Sequence, residues 1–313
     1  MRFARLGPAN LAEEVSPRVP SSHNHSHGSR VADAVTKSSN PFAVPHVVAL
    51  EQIRRTRGGS QAQLMRCDDE SLYVVKFQNN PQGLRILINE LVASRLARLI
   101  GIPVAQPAVV SVDKDLINGT EDLVIQHRSG REICKPGLQF GSRYCGTPIG
   151  GHVWDMFPVE LKSRISNLKV FAGVLAFDIW LGNADERQAV FAQWESNRPY
   201  DAYIVDNGLC FNGCRWNFPL VPSRSRLYPS HYVYDTITGI HSFEPWLTRI
   251  ETIDQNIFID IFDSIPSEWL ESNKLALARL LASLYDRRLI VRQLIVATIC
   301  KNPRAFGKWT GLI

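Results

Sequence analysis

Four side chains in this sequence have the types and spacing for phosphate chemistry. Lys76 lies near the end of an apolar run, Leu72 to Gln78, and Glu90 follows 14 residues later within an amphipathic stretch. A lysine ammonium held by a carboxylate partner suits phosphate binding. Upstream, the turn Gly58-Gly59-Ser60-Gln61 lets a backbone approach phosphates closely, because glycine carries no Cβ. Asp185 follows an apolar run that stops at Gly182, and sits in a polar loop where a carboxylate orients or deprotonates a hydroxyl. Asp206 ends a second β-like run, AYIVD, 21 residues after Asp185, and its hard oxygens suit Mg2+. Singly, each signal is weak. A strand-end lysine is ordinarily solvated, a Gly-Gly turn is ordinarily a hairpin, and a lone aspartate is ordinarily a cap or turn residue.

The elements that must position these groups are legible from periodicity. Strands are predicted over 47–56, 61–66 and 72–78, the last alternating so that Tyr73, Val75 and Phe77 share one face while Val74 and Lys76 share the other. Apolar residues Leu84, Leu87, Ile88, Leu91 and Leu99 predict a helix over 84–100, stopped by Gly101. Strand-like sequence follows in VAQPAVVSV and EDLVIQH. The stretch 159–181 is long and apolar enough for one or two helices, strands over 189–194 and 200–205 form a hairpin, and one helix is predicted over 273–298. Strand–Gly turn–strand–strand with lysine, helix with glutamate, then aspartate, hairpin and aspartate is the linear order of a protein-kinase-like fold.

Composition narrows the class. With 313 residues, 45% hydrophobic and 21% charged, the chain is expected to be a soluble globular protein with a sizeable core. No run of about 18 apolar residues predicts a membrane span, and MRFARLGPANLAEEV lacks the apolar centre of a secretory leader. Six scattered cysteines read as reduced thiols of a cytoplasmic protein. A net charge of +5 without a Lys/Arg run does not call for direct nucleic-acid binding. Residues 1–45, rich in Ser, Pro, Asn and His, are expected to be a disordered tail, with His23, His25 and His27 solvated rather than metal-bound. Cys210 and Cys214 have no second pair nearby for zinc. Trp216, Phe218, Phe243 and Trp246 read as packing residues, and Arg224 and Arg226 as loop charges.

The wording of the chain also resembles the HipA-like kinases, specifically a compact branch that is little more than a kinase core. The resemblance is carried by GGSQAQLMRCDDESLYVVKFQNNPQGLRILINELVASRLARLIGIPV, GLQFGSRY, FDIWLGNAD, YIVDNGLCF and IPSEW with the closing helix, over about residues 47–297. It implies an α+β, two-lobed protein-kinase-like fold: a β-rich N-lobe over 46–135 and a helical C-lobe over 136–313. It further implies ATP and Mg2+ in the cleft, Lys76 on the nucleotide phosphates with Glu90 as its ion-pair partner, Asp185 as the catalytic aspartate and Asp206 as the metal-binding one. The Gly58-Gly59-Ser60 turn resembles the phosphate-covering loop, which is itself phosphorylated in some relatives; Thr56 or Ser60 is the local candidate.

One position departs from the family. An asparagine that completes the metal site is expected five residues after the catalytic aspartate, and here Val190 stands there. The residue directly after that aspartate, usually basic, is Glu186. Valine does not coordinate a cation. Gln188 substitutes if the loop shifts, or Glu186 turns inward, or the site has lost a metal. The function expected is therefore an ATP-dependent phosphotransferase acting on a protein Ser/Thr, with a nucleotide-binding pseudokinase working through protein–protein interaction as the alternative. On this reading Val190→Asn is expected to restore an oxygen ligand beside Asp206. The tail yields a first test: a chain shortened to begin at Ser39 should melt within a few degrees of the full chain, because the tail offers no periodic apolar face to bury.

Overall fold

The computed structural model describes residues 44–146, 152–195, 197–218 and 227–311. Most of the expected tail, including His23, His25 and His27, lies outside the described residues, as do Arg224 and Arg226.

The chain opens with β1 (His46–Arg55), β2 (Gln63–Cys67) and β3 (Leu72–Lys76), an antiparallel meander. Helix α1 (Arg85–Leu99) follows, then β4 (Pro107–Val112), a short α2 (Lys114–Asn118), the hairpin β5 (Val124–His127) and β6 (Gly130–Ile133), and β7 (Gly137–Arg143). The strand order β1-β2-β3-β7-β4 closes into a barrel, sealed by parallel pairing of β1 with β4. Met65, Cys67, Tyr73, Val75, Ala108 and Val110 fill one cluster with the inward residues of β1. Strand β7 pairs with both β3 and β4, so the sheet runs beyond the expected limit at residue 135. Its apolar alternation is broken by Gly137 and Gly141, which hid it as a strand.

Helix α1 departs from the amphipathic expectation. Ile86 to Ala97 are almost all buried, Asn89, Glu90 and Ser94 included. A helix buried all round forces its polar side chains to find partners inside the protein.

The helical half begins after β8 (His152–Trp154) with α3 (Val170–Leu181), whose twelve residues are all buried. Gly182 ends α3 in the left-handed conformation, φ 61°, where a Cβ would be strained. β9 (Gln188–Gln193) and β10 (Asp201–Val205) form the expected hairpin, with β8 on the far side of β9. The remainder is α4 (Trp246–Glu251), α5 (Gln255–Asp263), α6 (Ser267–Leu270), α7 (Lys274–Arg287) and α8 (Val291–Lys301). Phe243 is fully buried, and Trp216, Phe218 and Trp246 pack against the same core.

The single helix expected over 273–298 is two helices, broken at 288–290. The Trp180 indole donates to the Leu284 carbonyl at 3.0 Å, and the Arg287 guanidinium reaches back to the carbonyls of Trp180 and Ile179 at 2.9 and 3.1 Å. With its usual acceptor engaged, the Arg288 amide turns to Tyr285 instead, and the helix tightens and stops. α3 and α7 therefore exchange hydrogen bonds in both directions just before the break at 288–290. Trp180→Phe, which removes the indole N–H and leaves a small void, is expected to lower unfolding free energy by about 1–3 kcal/mol, measured by urea denaturation.

Candidate active site

Strand alternation decides where Lys76 points. Val75 faces the barrel core, so Lys76 emerges on the opposite face, over α1. Its ammonium donates to Glu90 Oε1 and, at 2.7 Å, to Asp206 Oδ1. The second Glu90 oxygen accepts from the Asn207 amide at 3.0 Å. The second Asp206 oxygen accepts from Gln188 Nε2 at 3.0 Å. The Lys76 and Glu90 side chains are only 8% and 3% exposed whereas that of Asp206 is 38% exposed, so one carboxylate is sealed in and the other forms the lip.

One cation between two anions leaves the cluster with a surplus negative charge. Burial pulls the Lys76 pKa down, but the two carboxylates outweigh it and hold the ammonium above its ordinary range. Glu90 is pushed up by burial and by Asp206, against the attraction of Lys76. Asp206 is pushed up by its surroundings, yet Lys76 and then Arg187 prevail and keep it below the ordinary carboxylate value.

The chain around Asp206 is fastened from both sides. Asp206 has φ 56°, left-handed for a residue with a Cβ. Gly208 follows at a place where a Cβ would come within 2.7 Å of Ile86 Cγ2 and face Glu90 and Lys76, so only glycine lets this segment lie against α1. Buried Asn89 binds the carbonyls of Gly208, Cys210 and Gly213 at 2.7, 3.1 and 3.1 Å, and accepts from the Trp216 indole at 2.7 Å.

Asp185 stands at the same end of the β9–β10 hairpin. The Asn183 side chain accepts from its amide at 3.2 Å, and its own carboxylate accepts from the Glu186 amide at 2.8 Å. The Ala184 amide donates to the Leu209 carbonyl at 3.0 Å, and the Asn212 amide to Gly182 at 3.1 Å, so this loop runs alongside the segment after Asp206. Glu186 is exposed and does not turn inward.

The register of the hairpin corrects the reading of Val190. Val205 pairs with Gln188, and Val190 pairs with Tyr203. Val190 is thus two residues along β9 from the side chain that touches Asp206, a separation of about 7 Å. Gln188, not position 190, lies beside the carboxylate.

The Gly58-Gly59-Ser60 turn lies against Gln82. A Cβ on Gly59 would lie 3.1 Å from Gln82 Nε2, and Ser60 is buried. Gln61, at φ 52°, exchanges hydrogen bonds of 2.7 and 2.8 Å with the backbone of Gln126 on β5. Among the described residues, no hydrogen bond joins this turn to the Lys76 cluster. The Cys214 thiol donates to the Gln82 carbonyl at 3.0 Å, Cys210 is a buried thiol whose pKa burial pushes up, and no group of three His, Cys, Asp or Glu surrounds a metal position among the described residues.

Sequence reasoning passed over Asn89, Asp178, Arg187 and Asn207. The signal was present for two of them: Asn89 lies between Ile88 and Glu90, and Asp178 interrupts a run of apolar residues. Polar groups at core positions demand partners, but their identity is not local information.

The cluster makes a testable statement about stability. Lys76→Met strands Glu90 among apolar neighbours, raising its folded-state pKa further above its unfolded value. Such a group favours the fold below its unfolded pKa and weakens it as pH rises through the folded one. The variant is expected to lose about 3–5 kcal/mol at pH 8 and visibly less at pH 5, read from denaturation at both pH values.

Comparison with known proteins bears on the family. No curated protein matches the chain. Among solved structures, a Helicobacter pylori proinflammatory kinase, CtkA, is similar at 15% identity, over 85% of this chain and 98% of that one, with a TM-score of 0.48. The Golgi casein kinase is similar at 10% identity, over 83% and 74%, with a TM-score of 0.46. The family model described as HipA-like kinase matches residues 50–212, more than half of the chain, from the middle of β1 to the segment after Asp206. The chain belongs to the HipA-like kinase family.

Proposed function

We propose that this chain binds ATP with a divalent cation, Mg2+, and transfers the terminal phosphoryl group to a Ser or Thr hydroxyl of a protein. The observation that carries the proposal is the Lys76 ammonium, buried and held between Glu90 and Asp206. A buried ammonium braced by one carboxylate and shared with a second, half-exposed one is a phosphate receptor with a cation position beside it.

The residues fit a hard divalent ion. Asp206 presents an oxygen at the lip, and Gln188 places an amide within hydrogen-bond reach of it. Two such groups suit an ion that keeps several waters and takes its remaining ligands from phosphates. When bound, the cation neutralises charge on the phosphates and on the leaving group. Lys76 does the same from the buried side, and Glu90 keeps it aimed. Asp185 orients the acceptor hydroxyl and takes its proton as the oxygen bonds to the γ-phosphorus and the bond from that phosphorus to the bridging oxygen breaks, releasing ADP. Positioning and charge compensation supply the rate enhancement, with no covalent enzyme intermediate. The six free cysteines support an acceptor met in the cytoplasm. Among the described residues, no helix is long and apolar enough to cross a membrane.

The experiment is an ATP titration with and without Mg2+, followed by a transfer assay on the same sample. Metal-dependent binding with transfer supports the proposal, and binding without transfer selects the pseudokinase alternative. Lys76→Met with Asp206→Asn removes one charge of each sign and is expected to weaken ATP affinity by about tenfold or more, about 1.4 kcal/mol. Unchanged affinity would place the nucleotide elsewhere. For the cation, Gln188→Ala is expected to raise the Mg2+ concentration needed for half-maximal ATP binding, while Val190→Asn leaves it near that of the parent. The reverse result would return the metal ligand to position 190.

A further inference from the structure

One buried ion pair touches both candidate carboxylate loops. The Arg187 side chain is 1% exposed. Its Nε donates to the two Asp178 oxygens at 3.1 and 2.9 Å, and Nη2 donates to Asp178 as well. Its Nη1 donates to the Val205 carbonyl at 3.2 Å and to Asn207 Oδ1 at 2.9 Å. The guanidinium thus holds the residue on each side of Asp206, whose left-handed backbone is a conformation that side-chain-bearing residues keep only when their surroundings impose it.

Asp178 works in the other direction. Its Oδ1 accepts from Asn183 Nδ2 at 3.3 Å, its carbonyl accepts from the Asn183 amide at 2.9 Å, and Asn183 Oδ1 accepts from the Asp185 amide. A continuous chain of hydrogen bonds therefore runs from Asp185 through Asn183, Asp178, Arg187 and Asn207 to Glu90.

We propose that Arg187 is a positioning residue which, through its buried pair with Asp178, holds Asp185 and Asp206 in register with each other. Its consequence for catalysis rests on the phosphotransfer reading; its geometric content does not. A lysine at this position keeps the charge opposite Asp178 but lacks the planar fork that reaches three acceptor groups at once. Arg187→Lys accordingly separates positioning from charge. Asp178→Leu with Arg187→Met removes both charges together, a change that buried pairs commonly tolerate without loss of the fold, and serves where the first variant folds poorly.

Two measurements on the full chain decide the matter. Amide hydrogen exchange at Asp185 and Asn207 is expected to speed up together, by about tenfold, in either variant. Half-saturation by Mg2+ in the presence of ATP is expected to rise by about 10- to 100-fold, while ATP affinity without Mg2+ stays within about threefold of the parent, a split that general destabilisation would not produce. Unchanged exchange, or acceleration at one amide alone, overturns the inference. So does unchanged Mg2+ dependence in a variant whose exchange has increased. In a parent that binds no ATP the kinase reading fails, and the exchange result by itself then decides whether the pair holds both loops.

Discussion

The structure is organised around the cost of burying the Lys76 ammonium. An isolated charge in that position would surrender its proton, so two carboxylates must be delivered to it from distant parts of the chain. Glu90 comes from a helix that is buried on nearly all sides, and Asp206 comes from the far end of a hairpin in the helical half. The requirement reaches outward from there. Gly208 must lack a Cβ so that the chain can pass over α1, and Asn89 binds three carbonyls of the segment that follows.

The asymmetry of the two carboxylates gives the cluster its chemistry. Glu90 is sealed and bound by Lys76 and the Asn207 amide, so both its oxygens are committed to structure. Asp206 shares Lys76 but keeps an open edge, where Gln188 is its neighbour. One ammonium shared between two carboxylates leaves the negative charge on the exposed edge of Asp206. A second buried pair, Arg187 with Asp178, supports the first without touching it, by fixing the backbone on which Asp206 rides.

Much of this was legible in the amino-acid order. Alternation over Leu72 to Gln78 put Lys76 on the face opposite Val75, and the glutamate spacing put Glu90 on the following helix, because periods of two and of 3.6 residues are properties of the local backbone. Counting five residues on from Asp185 led to Val190, and there local reasoning reached its limit. Which residue faces Asp206 depends on the register between β9 and β10, a relation between strands that residue counting does not contain. β7 was missed because its glycines interrupt the alternation by which strands are recognised, and a barrel closed by non-neighbouring strands has no short-range signature.

The sequence by itself determined the kinds of groups available, their order, and the faces of the elements that carry them, since these follow from chirality and periodicity within a few residues. Only the tertiary structure decided which of those groups share a proton or a charge. It placed Lys76 between two carboxylates rather than one, brought Gln188 rather than Val190 to the lip, paired Asp178 with Arg187, and broke the last long helix where Trp180 takes the Leu284 carbonyl. The physical reason is common to all four. A buried polar group is satisfied by whatever the packing of distant elements brings within about 3 Å, and that distance is a property of the folded chain alone.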